Sequence, residues 1–285
     1  MTEFDITYRQ IVSDIYRKGL WSFDNTKDQV RTKWADGSPA HYKSLIGYQF
    51  RVDNSLSELP VITSRKVPIK DPIRELYWIW FLRSNNVDEL KKLGCKFWDE
   101  WRMEDGTIGN AYGYQIGKKT FGHESQLHYI INEIKNNPNS RRILTEIWVP
   151  EELDKMALTP CVHLTQWSVR GNRLYLEVRQ RSCDVALGLV ANVLQYAVLH
   201  RLVAHECGLE PAEIIWNVHD IHIYDRHIDK LIEQVNKPCK KVKYRIENEF
   251  ESLESIHDFH PDMIKIITDN PDGEILDKVS YEVAI

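Results

Sequence analysis

The sequence predicts an α+β fold in which a mixed sheet is packed with helices. Apolar and polar side chains alternate over residues 173–181, which is the period of a strand with one buried face. Residues 72–83 are apolar nearly all round and predict a buried helix, and helical spacing of apolar residues predicts another over about 190–207. A further strand is expected over about 214–222. Because regular strand–helix–strand units and a glycine-rich phosphate loop are absent, the pattern argues against a parallel nucleotide-binding fold.

The composition is that of an ordinary globular protein. The chain has 285 residues, 42% of them hydrophobic and 28% charged, and its interior carries no Pro/Gly/Ser-rich linker, so we expect one domain over residues 1–285. A net charge of -5 gives no general attraction to DNA, and an anionic ligand would need a local cluster of arginines. No apolar run approaches a membrane span, and the N-terminus lacks a signal-peptide pattern, which predicts a cytoplasmic protein.

The cysteines do not form a recognisable framework. The five cysteines include no C-x-x-C pair and have no histidine partners at zinc spacing. We therefore expect free thiols, with neither a disulfide framework nor a structural metal.

A thiol, a guanidinium and a carboxylate are placed within reach of one ligand. Cys161 follows a proline, Arg181 and Asp184 come at the end of the predicted strand, and Asn192 lies eight residues after Asp184. A rigidly held cysteine becomes a useful nucleophile if a nearby positive charge stabilises its thiolate, and Arg181 is the candidate for that charge. Taken alone, each residue has a simpler interpretation, as a buried apolar thiol and a solvated strand arginine.

Glu75 lies within the apolar helix predicted over 72–83. A carboxylate there is paired, exposed at one edge, or raised in pKa so that it can pass protons near neutrality. A structural role at the helix start, where its charge suits the helix dipole, is the alternative.

Motifs in a fixed order extend over nearly the whole chain. They are Val30-Arg31-Thr32, Arg74-Glu75-Leu76, Phe97-Trp98-Asp99-Glu100-Trp101, Ala111-Tyr112-Gly113, Ser140-Arg141-Arg142, Pro160-Cys161, Gln180 to Asp184, Leu187-Gly188, Asn192, and His222 with Tyr224. This set resembles the thymidylate synthase family, which also holds the pyrimidine nucleotide hydroxymethylases. The resemblance implies that family's single-domain fold, in which a face of the sheet forms the interface of a homodimer.

The resemblance also implies a mechanism. In the family a thiolate adds to C6 of a pyrimidine nucleotide, and C5 then attacks the methylene group of 5,10-methylenetetrahydrofolate. Cys161 matches the nucleophile and Glu75 the residue that moves protons through ordered water. Tyr112 and Trp98 match the walls around them, and Asp184 matches the carboxylate that holds the pterin ring. The folate is a co-substrate, and neither a metal nor NAD is implied.

The phosphate contacts of the family match five positions. Arg31, Arg181 and Ser182 match contacts made within one subunit, and the arginine fork suits a phosphate. Arg141 and Arg142 match the pair that the second subunit contributes. The resemblance therefore implies an obligate homodimer in which each site is shared.

Other matches concern the sugar, the base and the folate. His222 and Tyr224, two residues apart on one strand face, match the residues that hold the sugar hydroxyl. The Asn192 amide can donate to uracil O4 and accept from N3–H, which predicts dUMP rather than a cytosine nucleotide. The folate contacts implied by the resemblance are Arg65, Trp98, Trp101, Leu158, Asp184, Gly188, Ala191 and Ala284.

Two positions depart from the synthases. Ala191 stands where synthases carry phenylalanine before the asparagine, and it opens space of roughly a ring, enough for water. His219 replaces the glycine directly before Asp220 and adds a titratable group. Attack by water instead of hydride on the one-carbon unit would give a hydroxymethyl product. These changes favour a deoxyuridylate hydroxymethylase, with His219 as a general base.

Thymidylate synthase is the alternative function. Trp98, Trp101 and Leu158 are features with which synthases close the site, and the chain end Val283-Ala284-Ile285 is similar to the tail that folds over folate. A closed, water-poor pocket favours hydride transfer. A third function, a non-catalytic dUMP-binding regulatory protein, is disfavoured because it would need neither Cys161 nor Glu75.

Overall fold

A six-stranded sheet forms the centre of the computed structural model, which describes residues 1–25, 27, 30–247, 250 and 253–285. Its strands are β1 (Leu20–Trp21), β2 (Tyr42–Asp53), β3 (Leu144–Glu146), β4 (Val162–Arg170), β5 (Arg173–Asp184) and β6 (Glu210–Tyr224). They lie in the order β1-β2-β6-β5-β4-β3. The pair β5 and β6 is parallel and the other neighbours are antiparallel, so the predicted mixed sheet is confirmed. A separate antiparallel pair consists of β7 (Lys243–Ile246) and β8 (Ile266–Asp269).

Seven α-helices are found in the described part of the chain. They are α1 (Glu3–Lys18), α2 (Lys70–Trp80), α3 (Val87–Lys92), α4 (Gly113–Ile116), α5 (Gln126–Asn136), α6 (Gly188–Glu206) and α7 (Asp225–Asn236). The α+β class is therefore confirmed. The helix predicted over 72–83 begins and ends earlier, and the strand predicted over 214–222 is longer at both ends. The pattern gave no sign of the crossover in which α6 joins the parallel strands β5 and β6. No described helix is long and apolar enough to cross a membrane.

The core lies between the sheet and helices α1, α2 and α6. Helix α6 is apolar nearly all round, because it packs against β5 and β6 on one side and against α2 on another. The largest fully buried side chains include Trp78, Trp167 and Trp216. Full burial of a leucine-sized side chain contributes about 1.5–3 kcal/mol, so this core holds α2 and α6 firmly against the sheet.

The alternation of buried residues changes phase in the middle of β5 and β6. On β6, Trp216 and Val218 are buried, and the next fully buried positions are Ile221 and Ile223. On β5 the same change falls between Gln180 and Cys183. Two successive residues in each strand are consequently not buried in the core. In a regular strand, one of any two successive residues would face the core. The residues left out are Arg181 and Ser182 on β5 and His219 and Asp220 on β6, so the change of phase falls where both strands carry candidate site residues.

Candidate active site

Cys161 lies half-buried directly before β4, and Arg181 lies beside it on β5. The Arg181 Nη2 atom is 3.9 Å from the Cys161 Sγ atom. The Arg181 backbone N–H donates to the Cys161 carbonyl at 2.8 Å, and the Cys161 N–H donates to the Tyr112 hydroxyl at 3.0 Å. The fold therefore brings together the thiol and the guanidinium that the sequence placed twenty residues apart.

The Arg181 guanidinium is held in place from three sides. Its Nε donates to the Pro160 carbonyl at 3.0 Å and its Nη2 to the Thr159 carbonyl at 2.8 Å. The Trp148 ring lies 5.8 Å from the guanidinium, within range of a cation–π contact. The positive charge therefore stays beside the thiol without a bound ligand.

The surroundings of the Cys161 thiol favour its protonated form over the thiolate. Burial raises the pKa of Cys161, while the Arg181 charge and the hydrogen bond with Tyr112 oppose the rise. Attack by Cys161 on a ligand therefore requires the thiol proton to leave, and Arg181 stabilises the thiolate that results.

Tyr112 has an unusual backbone conformation. Its φ of 43° and ψ of -101° are sparsely populated for a residue with a side chain. The next residue must be glycine, because a Cβ on Gly113 would lie 2.0 Å from the Ser84 carbonyl oxygen. This close approach fixes α4 and holds the Tyr112 hydroxyl against the backbone of Cys161.

Glu75 on α2 is a buried carboxyl group with two donors. The Trp98 Nε1–H donates to its Oε1 at 2.6 Å, and the Gln195 Nε2–H donates to its Oε2 at 3.1 Å. Burial raises the pKa of Glu75 to about 7, although both donors pull it down. The carboxyl group can consequently give or take a proton near neutral pH. The sequence interpretation missed Gln195, which lies three residues after Asn192 and thus on the same face of α6.

The buried amide of Gln180 holds Asn192, and the Trp216 indole holds that amide. The Trp216 Nε1–H donates to the Gln180 Oε1 at 2.9 Å, and the Gln180 Nε2 donates to the Asn192 Oδ1 at 3.3 Å and to the Ser182 carbonyl at 2.9 Å. Because an indole N–H can only donate, it fixes which way the Gln180 amide faces. The Asn192 carbonyl oxygen therefore points to Gln180, and its NH2 group is available for a carbonyl oxygen of a ligand.

His222 and Tyr224 lie side by side at the end of β6. Their ring centroids are 5.1 Å apart, and the Asp220 Oδ1 atom is 3.0 Å from the His222 Nδ1 atom. Burial raises the pKa of Tyr224, and a hydrogen bond with Thr32 opposes the rise. The hydrogen bond between Thr32 and Tyr224 places the segment that carries Arg31 beside His222 and Tyr224. The Arg31 side chain is exposed.

Two of the residues implied in folate binding, Asp184 and Arg65, contact the segment that leads into α6. The Asp184 Oδ1 accepts from the Ala186 N–H at 2.9 Å, the Arg65 guanidinium donates to the Ala186 carbonyl, and the Tyr281 ring lies 5.1 Å from that guanidinium. Trp98 is buried. The remaining members of the set are half-buried, namely Trp101, Leu158, Gly188, Ala191 and Ala284.

Two of the predicted site residues lie apart from this group. A third, His219, lies on β6 level with Arg181, because its two neighbours pair with Gln180 and Ser182. Arg141 and Arg142 are exposed just before β3. There Leu144 pairs with Gln166, five residues along β4 from Cys161, which is about 16 Å at ~3.3 Å per residue. His219 is exposed, and no described residue forms a hydrogen bond with its side chain.

Comparisons with known proteins identify the class of enzyme. A family model described as thymidylate synthase matches residues 6–281. A thymidylate synthase of Fusobacterium nucleatum is 69% identical over 99% of this chain and 98% of its own length. Thymidylate synthase 1 of Bacillus subtilis strain 168 is 45% identical over the full length of both chains. The solved structure of thermostable thymidylate synthase A from Bacillus subtilis superposes with a TM-score of 0.88, at 45% identity and full coverage of both chains.

The fold and the matches define a one-carbon transferase enzyme. More narrowly, the chain belongs to the thymidylate synthase family.

Proposed function

We propose that this enzyme methylates C5 of dUMP, taking the one-carbon unit from 5,10-methylenetetrahydrofolate and releasing thymidylate and dihydrofolate. The observation that carries the proposal is the placement of a thiol against a fixed guanidinium, Cys161 Sγ being 3.9 Å from Arg181. Glu75, with a pKa of about 7, supplies a second group suited to proton movement in the same site. The names of the relatives, at up to 69% identity, support methyl transfer.

The residues divide the reaction among them. Cys161 adds through sulfur to C6 of the pyrimidine, and the addition makes C5 nucleophilic. Asn192 donates from its NH2 group to uracil O4, because Gln180 already occupies one side of its carbonyl oxygen. Glu75 moves protons to and from the ring, since a pKa of about 7 leaves both its neutral and its charged form populated near neutral pH. C5 attacks the methylene carbon of the folate and loses its proton, and the bond between that carbon and the folate nitrogen then breaks, leaving an exocyclic methylene on the pyrimidine. Hydride from the tetrahydrofolate converts this methylene to a methyl group as the Cys161 thiolate is eliminated, which restores the ring and gives dihydrofolate.

The contacts near Asp184 suit a folate. The Arg65 Nε atom is buried and has no hydrogen-bond partner among the described residues, so a donor is available there. The Asp184 carboxylate has a second oxygen that can accept from ring N–H groups. Trp98 and Trp101 supply ring surface, and their centroids are 5.7 Å apart. When bound, the folate supplies both the carbon and the hydride.

We propose that the chain works as a single domain in a homodimer, as in its family, with sites shared across the interface. Arg141 and Arg142 are exposed and lie too far from Cys161 along β4 to serve that thiol within one chain. Arg31, Arg181 and Ser182 would then contact the phosphate from one copy, and the arginine pair would reach it from the other. The sheet face turned away from the helices would form the interface.

Methyl transfer is favoured over hydroxymethylation, which was the function predicted from the sequence. The hydroxymethylase hypothesis requires His219 to act as a general base, but this side chain is exposed, and none of the residues that the structure describes forms a hydrogen bond that would orient it toward the pyrimidine. The C-terminal tail is docked, with the Ile285 N–H donating to the Lys33 carbonyl at 2.8 Å, an arrangement that helps to exclude water. The space beside Ala191 remains the feature that supports hydroxymethylation.

The test is one incubation of the purified protein with dUMP and 5,10-methylenetetrahydrofolate. Dihydrofolate absorbance is followed, and the nucleotide product is then identified by mass spectrometry. Thymidylate with an equal amount of dihydrofolate is the expected result. A hydroxymethyl product without dihydrofolate would establish the hydroxymethylase, and unchanged dUMP would favour a protein that only binds.

A further inference from the structure

The C-terminal tail and the segment after Arg31 are joined by backbone hydrogen bonds. The Lys33 N–H donates to the main-chain oxygen of Ile285 at 2.6 Å, and the Ile285 N–H donates to the Lys33 carbonyl at 2.8 Å. One side of this pair carries the proposed phosphate contact Arg31, and the other carries the proposed folate contact Ala284. The two substrate sites therefore meet at one pair of backbone amides.

Arg226, near the start of α7, contacts both sides of this junction. Its Nη2 donates to the Asp36 Oδ2 at 2.6 Å and to the Ser38 Oγ at 2.8 Å. Its Nη1 lies 3.1 Å from the Glu282 Oε2. The Trp34 ring lies 4.8 Å from the guanidinium, and the Trp34 Nε1–H donates to Asp225 at 3.1 Å.

One planar cation thus joins two carboxylates that belong to different segments. Asp36 lies in the segment after Arg31, and Glu282 lies in the tail. Without the positive charge of Arg226 between them, these carboxylates would repel each other. A lysine could not replace the arginine fully, because its point charge lacks the fork that reaches two acceptors at once.

We propose that Arg226 is a positioning residue that couples the Arg31 segment to the C-terminal tail, so that binding at either substrate site favours order at the other. The coupling of dUMP and folate rests on the proposed function. The link that Arg226 makes between the Arg31 segment and the tail, called here the mechanical link, rests on the contacts alone. By linkage, an increase in folate affinity caused by dUMP must equal the increase in dUMP affinity caused by folate.

The mechanical link is tested by hydrogen–deuterium exchange at the Lys33 and Ile285 amides of the full chain. Arg226→Gln is expected to speed exchange at both amides by about fivefold, since two exposed ion pairs and a ring contact are lost. Asp36→Asn should speed exchange at Ile285 more in the wild-type background than in the Arg226→Gln background, because Asp36 reaches the tail through the arginine. The smaller effect that remains without the arginine comes from the turn in which Asp36 also accepts from Ser38. Arg226→Lys should restore part of the protection.

Lys230→Met is the matched control. Lys230 also holds the tail, through a 2.6 Å hydrogen bond from its Nζ to the Ser280 carbonyl. Within the described part of the chain, no hydrogen bond or ion pair joins Lys230 to the Arg31 segment. The Asp36→Asn effect should therefore persist when Lys230 is replaced. An Asp36→Asn effect that is equal in the Arg226→Gln and Lys230→Met backgrounds would overturn the link.

The substrate coupling is tested separately, by dUMP affinity with and without 5,10-methylenetetrahydrofolate and by steady-state kinetics. Arg226→Gln should raise the folate KM by about fivefold and reduce the mutual enhancement of the two ligands, with a smaller change in kcat. An active wild type whose Arg226→Gln variant keeps full coupling would refute this inference while leaving the proposed function intact. A wild type without activity would refute the proposed function, and the exchange result would still decide the mechanical link.

Discussion

Replacement of Glu75 by glutamine should change how stability depends on pH. The pKa of the Glu75 carboxyl group is raised from 4.5 to about 7 in the folded chain. Between these values the folded chain holds a proton that the unfolded chain has lost, so the free energy of unfolding falls as pH rises. The difference of about 2.5 units, at ~1.4 kcal/mol per unit, corresponds to about 3.5 kcal/mol. This stability is present in full below the ordinary pKa and is lost once pH has passed through about 7.

The assay is urea unfolding of wild type and Glu75→Gln at one protein concentration, from about pH 4.5 to about pH 8. Glutamine does not titrate, so the wild-type stability relative to the variant should fall by about 3 kcal/mol over this range. Glu104→Gln, at an exposed position, controls for the loss of one charge. Parallel pH profiles for wild type and Glu75→Gln would refute the reasoning, because they would mean that Glu75 titrates alike in both states.

Three further predictions follow from the site. Trp98→Phe and Gln195→Leu each remove one hydrogen-bond donor to Glu75, so each should raise the pKa of Glu75. The acidic limb of the pH–rate profile should then move to higher pH by about one unit. A limb that does not move would exclude Glu75 as the group that causes it. Ala191→Phe should leave thymidylate as the product, measured by mass spectrometry, whereas a hydroxymethyl product that disappears in the variant would revive the hydroxymethylase. Inactive Cys161→Ala and inactive Arg141→Ala, mixed under conditions that exchange subunits, should together recover about a quarter of wild-type activity. The reason is that half of the dimers become mixed and each mixed dimer contains one intact site. No recovery despite proven exchange would contradict a shared site.

The fold class could be predicted because its signals are local. The alternation over 173–181 and the apolar helices over 72–83 and 190–207 each correspond to an observed element. The parallel pairing of β5 with β6 could not be predicted, since periodicity in one strand carries no information about the direction of its neighbour. The phase change within both strands was also missed, because it depends on how neighbouring strands align.

The chemistry of the site was visible in residue types, but its geometry was not. Cys161, Arg181 and Glu75 were selected by their motifs, and the fold places Arg181 against the thiol. The pKa of Glu75 depends on Trp98 and Gln195, which come from different elements of the chain. Arg226 was missed entirely, because an arginine at the start of a helix has no distinguishing pattern until Asp36 and Glu282 are seen on either side of it.

Release of the C5 proton of dUMP tests the central claim most directly, because it reports the activation of C5 that the Cys161 thiolate would cause. Tritium at C5 is expected to pass into water during turnover with 5,10-methylenetetrahydrofolate, one equivalent for each thymidylate formed. Cys161→Ala should release none above background, with dUMP binding checked separately to show that the site remains intact. Release at the wild-type rate by Cys161→Ala would contradict the covalent mechanism.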